Sequence, residues 1–313
     1  MTDAIITWVD GNDPEHRRKR NYYLRKEKGE GISHEPNAAL STRFNECGEL
    51  YYNILLIRKN APWIDRIYLI TDNQRPQWLT ETEVDRLGVE IVDHQVIFNG
   101  FEEFLPTFNT MSINTMFHRI PGLNPEFLYL NDDIFILRPV VKDDYFENGR
   151  PIFRGHREIR NFPLPFMKRS PWRCETKPDI GIVGLRLGRE KILRAKTERV
   201  FLYHSPNPVV LHSYGKIMAR KMAYNIRFRF RSREQFDPMH LYVNSMLQRK
   251  RCSIIGSDVA YFDPQLMPQL TLQSIRKLAS QNHIRHACFQ SLDEYDYVSR
   301  RAAFDFLEEC VAS

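Results

Sequence analysis

The sequence predicts an α/β protein built on a mostly parallel β-sheet that is flanked by helices. Apolar runs of strand length recur through the first 140 residues, helical stretches separate them, and the central run ends on adjacent carboxylates. Such alternation of strands and helices is typical of parallel sheets. A chain of 313 residues is long enough for one large domain or two small ones, and one sheet signal runs through its first half. We therefore predict a single domain, 1–313, with halves at 1–140 and 141–313.

The individual elements follow from short apolar runs and from helical periodicity. We predict strands at residues 5–9, 66–71, 89–92, 127–130 and 134–137. We predict helices at residues 46–60, from 105–109 through 118, at 270–280 and at 294–310. The polar segment 16–43 is predicted to be a mobile loop. Beyond residue 139 the strand signal fades, which predicts a basic and mainly helical second half. Residues 227–231 are the exception, because their alternating Arg and Phe predict an extended strand.

The central strand, residues 127–130, runs directly into Asn131, Asp132 and Asp133. A buried strand should not end on two carboxylates unless something offsets their desolvation and mutual repulsion. The usual solution is Mg²⁺ or Mn²⁺, which prefer hard oxygen ligands and are often shared with a substrate phosphate. Ligands of open α/β sheets also gather beyond the carboxyl ends of strands. The alternative is a solvated turn between hairpin strands, in which Asn and Asp are common.

The first strand leads into a second acidic turn at residues 10–14. Gly11 would let the backbone approach a ligand closely, and Asp10 and Asp13 would supply oxygen atoms beside it. The alternative is ordinary turn chemistry, for which Asp-Gly and Asn-Asp-Pro are common sequences.

The charge is distributed unevenly. The net charge of +6 combines −6 in residues 1–140 with +12 in residues 141–313, and Arg outnumbers Lys 32 to 13. Arginine is the better bidentate partner for phosphate, although genome composition alone could also produce this bias. The basic half could hold phosphates, an anionic polymer or the face of a membrane. A nucleic-acid stripe at residues 227–231 is disfavoured, because its phenylalanines are needed to cover a core.

The cysteine and hydropathy patterns predict a cytoplasmic protein, with possible peripheral contact to the inner face of the plasma membrane. The five cysteines include no C-x-x-C pair, which favours free thiols in a reducing compartment. No apolar run approaches the roughly 20 residues of a membrane-spanning helix. A strand-like run begins almost at the first residue, where a secretory signal would otherwise lie.

Several short blocks, in this order, resemble the Stealth family of sugar-1-phosphate transferases. Its first motif resembles residues 6–14, its long second motif is similar to residues 43–139, and its third is similar to residues 204–206 and 229–232. In its fourth motif the family often has Cys-x-Asn-Asp, where this chain has Cys288, Gln290 and Asp293. Gln290 can hydrogen-bond there, and Asp293 either takes the carboxylate role or is a surface charge.

The resemblance implies a Rossmann-like, GT-A-like fold and a nucleotide-sugar donor, with a UDP-sugar expected. A glycan hydroxyl would attack the phosphorus next to the sugar and release UMP. Asp132 and Asp133 would hold Mg²⁺ or Mn²⁺, or one of them would serve as general base. His204 would act as acid or base, and Arg229 would neutralise the transferring phosphate. The expected substrate-binding residues are Trp8, Asp10, Gly11, Asp13, Arg43, Asn109, Asn131 and Arg231.

Two rival functions remain open from the sequence. A metal-dependent glycosyltransferase on the same kind of fold would break the bond between the sugar C1 and its oxygen and release UDP. A non-catalytic protein that binds nucleic acid or an anionic polysaccharide would explain the pI of 9.0. The second rival leaves the pair of acids at the end of a buried strand unexplained.

Overall fold

The structure, a computed structural model, describes residues 1–32, 34–35, 38, 40–160, 197–232 and 234–313, without the side chains of 158–160 and 197–199. The strands are β1 Thr2–Thr7, β2 Ile64–Thr71, β3 Val89–Asp93, β4 Glu126–Asn131, β5 Ile134–Ile136, β6 Phe146–Glu147, β7 Arg150–Arg160, β8 Thr197–Leu202, β9 Asn207–Val210, β10 Ser253–Ile255, β11 Val259–Phe262 and β12 His286–Phe289. The α-helices are α1 Pro14–Gly29, α2 Glu49–Asn60, α3 Glu81–Leu87, α4 His94–Ile97, α5 Thr110–Thr115, α6 Leu211–Met218, α7 Met222–Asn225, α8 Pro238–Gln248, α9 Leu272–Ala279 and α10 Tyr297–Ala312.

The central sheet has five strands in the order β3-β2-β1-β4-β9. The pairings among β1 to β4 are parallel, and β9 runs antiparallel to β4. Because the parallel strands point the same way, their carboxyl ends form one edge, where Thr7 of β1 is paired with Asn131 of β4. The predicted mostly parallel α/β sheet is confirmed.

Alternating side chains of the sheet enter two separate cores. Ile5 and Phe127 face one core, which is completed by α5, α6 and α8. Ile6 and Leu128 face the other, where Leu50 of α2 packs. Since the interior residues of β4 are buried on both faces, its sequence is a continuous apolar run without alternation.

Two later segments bring distant parts of the chain to this edge. The antiparallel β9 begins with Asn207 paired with Tyr129, so the residues just before β9 lie near the carboxyl end of β4. Strand β12 pairs antiparallel with β5, and the Phe289 amide donates to the Asp133 carbonyl at 3.0 Å. The turn between β4 and β5 is therefore enclosed by chain from the second half.

The predicted loop at residues 16–43 is wrong over its first half, which forms α1. The Asp13 carboxylate accepts from the His16 amide at 2.7 Å and Pro14 occupies the first turn, so both start signals of a helix are present. Part of the remainder, residues 33, 36, 37 and 39, lies outside the described residues.

The predicted strand at residues 227–231 is also wrong, because the chain there forms turns and bends. Phe230 is buried and stacks on Phe108 with ring centroids 5.2 Å apart. Arg227 instead lies over the rings of Tyr224 and Phe228. The alternation reflects separate contacts of each side chain, with no pleated strand.

The second half holds more helix than strand in its described part, yet it also contributes β6 to β12. The sequence analysis did not predict these strands, since most are short and their positions are set by pairing with distant segments. Helices near both predicted C-terminal positions are confirmed as α9 and α10. No helix among the described residues combines the length and apolar content needed to cross a bilayer. Contact with a membrane face stays a prediction.

Candidate active site

The turn that carries Asp132 and Asp133 is held by Asn53 of α2, which is fully buried. Its side-chain amide nitrogen lies 3.0 Å from the Asn131 carbonyl, 3.2 Å from the Asp132 carbonyl and 2.7 Å from the Ile134 carbonyl. One donor thus contacts the main chain on both sides of the acid pair. Helix α2 thereby fixes the direction in which the two carboxylates project.

The carboxylates of Asp132, Asp133 and the neighbouring Glu49 are desolvated and carry charges of the same sign. Burial and the charge of Asp133 raise the pKa of Asp132, and burial and the charge of Glu49 raise the pKa of Asp133. Glu49, at the start of α2, has its pKa raised to about 8 by burial and by Asp132. Such a cluster is costly to hold as anions, and a cation would relieve that cost.

The oxygen atoms of the acid turn fit a divalent cation. The Asp133 Oδ1 atom is buried without a hydrogen-bond partner among the described residues, which fits an unmet demand for a ligand. No group of three His, Cys, Asp or Glu side chains within the described ranges forms a metal site by itself. Mg²⁺ is commonly held by one or two carboxylates and completed by substrate phosphates and water. Asp132 and Asp133 therefore fit an ion that binds together with a phosphate-bearing donor.

The acid pair opens into a cavity of about 330 Å³ at the carboxyl edge of the central sheet. Eight of the residues predicted from the sequence line it: Trp8, Arg43, Asn109, Asn131, Asp132, Asp133, His204 and Arg231. These residues come from sequence positions as far apart as 8 and 231. The fold therefore gathers most of the predicted site into one cavity, while the chemical role of each residue stays a prediction.

Arg43 and Arg231 supply positive charge in this cavity. Burial and the neighbouring charge of Arg231 lower the pKa of Arg43 to about 10, which still leaves it protonated at neutral pH. Two guanidinium groups close enough to repel one another are typical of anion sites, since a bound phosphate can pair with both.

His204 is exposed to the cavity, and its ring lies 5.0 Å from that of Tyr261 in β11. The antiparallel pairing of β9 brings His204 to the edge that carries the acid turn. The sequence motif around residue 204 thus reaches the acids through a long-range strand pairing, which no local pattern encodes.

Four predicted residues do not line the cavity. The Gly11 amide donates to the Phe44 carbonyl at 2.7 Å, and a Cβ on Gly11 would lie 2.3 Å from that oxygen. Its close backbone approach is therefore to the protein's own chain. The Asp10 carboxylate accepts from the Asn12 amide at 2.8 Å, and Asp13 caps α1. All three shape the turn that follows β1.

Arg229 is the fourth. Its guanidinium donates to the Glu103 carbonyl at 2.6 Å, lies 3.9 Å from the Glu27 carboxylate and covers the ring of Tyr23. These contacts join α1 to the segment before α5.

Asn109 lines the cavity, yet its side-chain amide nitrogen donates to the Phe228 carbonyl and to Gln235, while its side-chain oxygen caps α5. Arg229 and Asn109 are both placed to hold the cavity wall.

Sequence reasoning missed one acidic group of the cavity, Asp237, and the amide of Asn53 behind the acid turn, whereas it had named Asp293 as a candidate. Asp237 caps α8 and lines the cavity; although burial acts to raise its pKa, the charges of His240 and Arg231 lower it. Asp293 also lines the cavity, and its carboxylate accepts from Thr42 and Asn45 at 2.7 and 2.8 Å. The sequence Asp237-Pro238 is typical of a helix start and could have predicted the position of Asp237. No sequence pattern predicts that the Asn53 amide contacts three carbonyl oxygens of the acid turn.

Two family models match the part of the chain that carries this site. The chain matches the model of Stealth protein CR1, conserved region 1, over residues 3–28, and of Stealth protein CR2, conserved region 2, over residues 43–152. These regions contain α1, the acid turn and Arg43.

Curated relatives align with the same part of the chain. It is 38% identical over 148 residues to the capsular polysaccharide phosphotransferase cps1A of Actinobacillus pleuropneumoniae, covering 47% of this chain and 39% of that protein. It is 43% identical over 153 residues to the exopolysaccharide phosphotransferase SCO2592 of Streptomyces coelicolor, covering 48% of this chain and 15% of that protein. The capsular polysaccharide phosphotransferase fcs1 of Haemophilus influenzae is 26% identical over 264 residues, which cover 83% of this chain and 69% of that protein. The alignments thus span less than half the length of the first two relatives.

Among solved structures, the galactosyltransferase LgtC aligns with 100% of this chain and 95% of its own, at 10% identity and a TM-score of 0.44. A likeness of that size is too weak for an inference. The chain is therefore similar to Stealth proteins over both conserved regions, matched in order, and to polysaccharide phosphotransferases over about half of its length.

Proposed function

We propose that this cavity transfers a sugar 1-phosphate from a nucleotide sugar to a hydroxyl group of a glycan. The expected donor is a UDP-linked hexose or N-acetylhexosamine, and the expected product is a phosphodiester in a capsular or other cell-surface polysaccharide. The observation that carries the proposal is the joint lining of one cavity by the acid pair and by Arg43 and Arg231. The relatives named as polysaccharide phosphotransferases support the same reaction class.

In the proposed reaction the acceptor oxygen attacks the phosphorus that carries the sugar. The bond from this phosphorus to the bridging oxygen breaks, UMP leaves with the electron pair, and the bond between the sugar C1 and its oxygen stays intact. Phosphoryl transfer of this kind asks the protein chiefly for positioning and charge neutralisation. Arg43 and Arg231 would neutralise the phosphate oxygens. Mg²⁺ or Mn²⁺ held by Asp132 and Asp133 would supply further charge neutralisation when bound.

The proton of the attacking hydroxyl needs an acceptor within the cavity. His204 is exposed there and is the first candidate, and one carboxylate of the acid pair is the second. Replacement of His204 by Ala should lower kcat by about 100-fold or more at unchanged melting temperature, in the range that general acid or base catalysis contributes. The exposed His212 on α6 offers the matched control, and His212→Ala should retain activity. Equal activity in both variants would remove His204 from the mechanism.

The nucleotide product tests the reaction class directly. The protein is incubated with a panel of nucleotide sugars, a divalent cation and a glycan acceptor, and the released nucleotide is identified by chromatography. Release of the nucleoside monophosphate is expected. Release of the diphosphate would show a glycosyltransferase, and salt-sensitive glycan binding without any release would show a non-catalytic binder.

A further inference from the structure

One wall of the cavity contains a group of buried polar atoms that have no hydrogen-bond partner among the described residues. Trp8, His16, His94 and Thr107 all line the cavity, and each is at most 5% exposed. No described residue bonds to the Trp8 Nε1, the His16 Nδ1, either ring nitrogen of His94 or the Thr107 Oγ1. A buried polar group without a partner destabilises the fold, and native proteins rarely keep several together. The group therefore indicates a ligand that supplies the partners.

The chemistry of this wall favours a flat, neutral group over a charged one. Burial lowers the pKa of His16 and of His94 to about 4, so both imidazoles are neutral at physiological pH. A neutral imidazole, a hydroxyl and an indole N–H can together donate and accept hydrogen bonds. Phe108 lies edge-on to His16 with ring centroids 5.4 Å apart, which adds aromatic surface. A polar heterocycle has both properties that the wall requires.

The wall also lies at a suitable distance from the acid turn. Trp8 follows β1, His94 follows β3 and Asp132 follows β4, in a sheet ordered β3-β2-β1-β4. At about 4.8 Å between neighbouring strands, the end of β3, which His94 follows, is about 14 Å from the end of β4, whereas the end of β1, which Trp8 follows, is about 5 Å from it. A ligand that reaches both places must be extended and must be polar and neutral at one end and anionic at the other. A nucleoside diphosphate has this shape and this distribution of charge.

We propose that Trp8, His16, His94 and Thr107 form the subsite for the nucleobase of the donor. The Trp8 indole N–H donates to the edge of the base, and the imidazoles and the Thr107 hydroxyl provide the remaining donors and acceptors. The inference rests on the proposed function only in taking the donor to be a nucleotide. It assigns to binding His16, His94 and Thr107, none of which the sequence analysis named as a site residue.

The test compares two ligands that differ in the base alone. UMP and ribose 5-phosphate are titrated calorimetrically against the full chain in the presence of Mg²⁺. UMP is expected to bind at least about 10-fold more tightly, since unmet partners in a polar site discriminate strongly against a ligand that lacks the group. Thr107→Val keeps the side-chain shape and removes only the hydroxyl, whereas Trp8→Phe removes the indole N–H together with one ring. Each should weaken UMP binding while leaving ribose 5-phosphate binding unchanged.

Trp78→Phe is the matched control, because Trp78 packs against the core beneath α2 and away from the cavity. It should retain the preference for UMP. The subsite would be overturned if the wild-type protein bound none of the nucleotides UMP, CMP, AMP and GMP more tightly than ribose 5-phosphate. An equal loss for UMP and ribose 5-phosphate in both variants would also overturn it. A base-dependent enzyme that releases the nucleoside diphosphate would keep this subsite and overturn the proposed function instead.

Discussion

The side-chain amide of Asn53 lies 3.2 Å from the main-chain carbonyl of Asp132 and so ties helix α2 to the acid turn. The same nitrogen contacts two further carbonyl oxygens of that turn. Asn60, two turns later on α2, makes a comparable contact with the Ile136 carbonyl at 2.7 Å, beyond the turn. Replacing each asparagine in turn therefore separates the loss of positioning at the acid turn from the loss of stability.

Asn53→Ala should lower the free energy of unfolding by about 1–3 kcal/mol, because it leaves buried carbonyl oxygens without a donor. It should also lower kcat by at least about 10-fold, because small displacements of positioned groups slow the chemistry. Asn60→Ala should destabilise to a similar degree and leave kcat within about two-fold. Chemical denaturation and initial rates measure both quantities. A kcat that falls equally in the two variants would show that only general stability matters.

Asp133→Asn should separate stability from function. The substitution removes a desolvated negative charge beside Asp132 and Glu49, so the melting temperature without metal should stay equal or rise. Transferase activity should fall by about 100-fold or more, as expected when charge stabilisation is lost. Millimolar Mg²⁺ with the donor should raise the melting temperature of the wild type and of Asp143→Asn, whose carboxylate is exposed. The same shift in Asp133→Asn would contradict the assigned metal site.

Arg229 and Arg231 should respond in opposite ways. Arg229→Ala removes contacts with the Glu103 carbonyl and the Tyr23 ring, so the free energy of unfolding should fall by about 1–3 kcal/mol. Arg231→Ala removes a guanidinium group from the cavity and should lower kcat/KM for the donor by about 100-fold with little change in stability. Melting curves and donor saturation kinetics decide this. The reverse pattern would restore Arg229 as the phosphate-binding residue.

His94 makes stability depend on pH. Burial lowers the pKa of His94 to about 4, whereas in the unfolded chain the same imidazole has a pKa of about 6.5. The unfolded state therefore binds more protons between these values, and stability present above about pH 6.5 is lost as the pH falls toward 4. The full loss is on the order of 3 kcal/mol. Denaturation at several pH values should show a shallower acid dependence for His94→Phe than for the wild type, and an unchanged one for His212→Ala. Parallel curves for wild type and His94→Phe would exclude a neutral buried His94.

Local sequence patterns were sufficient for the strands of the first half and for the acid turn. Periodicity identified β2, β3 and β4, because a strand buried on both faces is a continuous apolar run. The family motifs also named eight residues that line the cavity. The same local reasoning was wrong for α1, where the helix-start signal of Asp13 and Pro14 was outweighed by the polar composition that follows.

What the sequence by itself determined is the class of the fold and the presence of a carboxylate pair at the end of a buried strand, since both follow from residue order over a few positions. Only the tertiary structure decided which neighbouring residues share the cavity. Arg229 and Arg231 are two positions apart, yet one holds α1 and the other lines the site. Likewise, His94 lines the cavity only because β3, which it follows, lies in the same sheet as β1 and β4. Such assignments depend on packing between segments far apart in the chain, which no local pattern records.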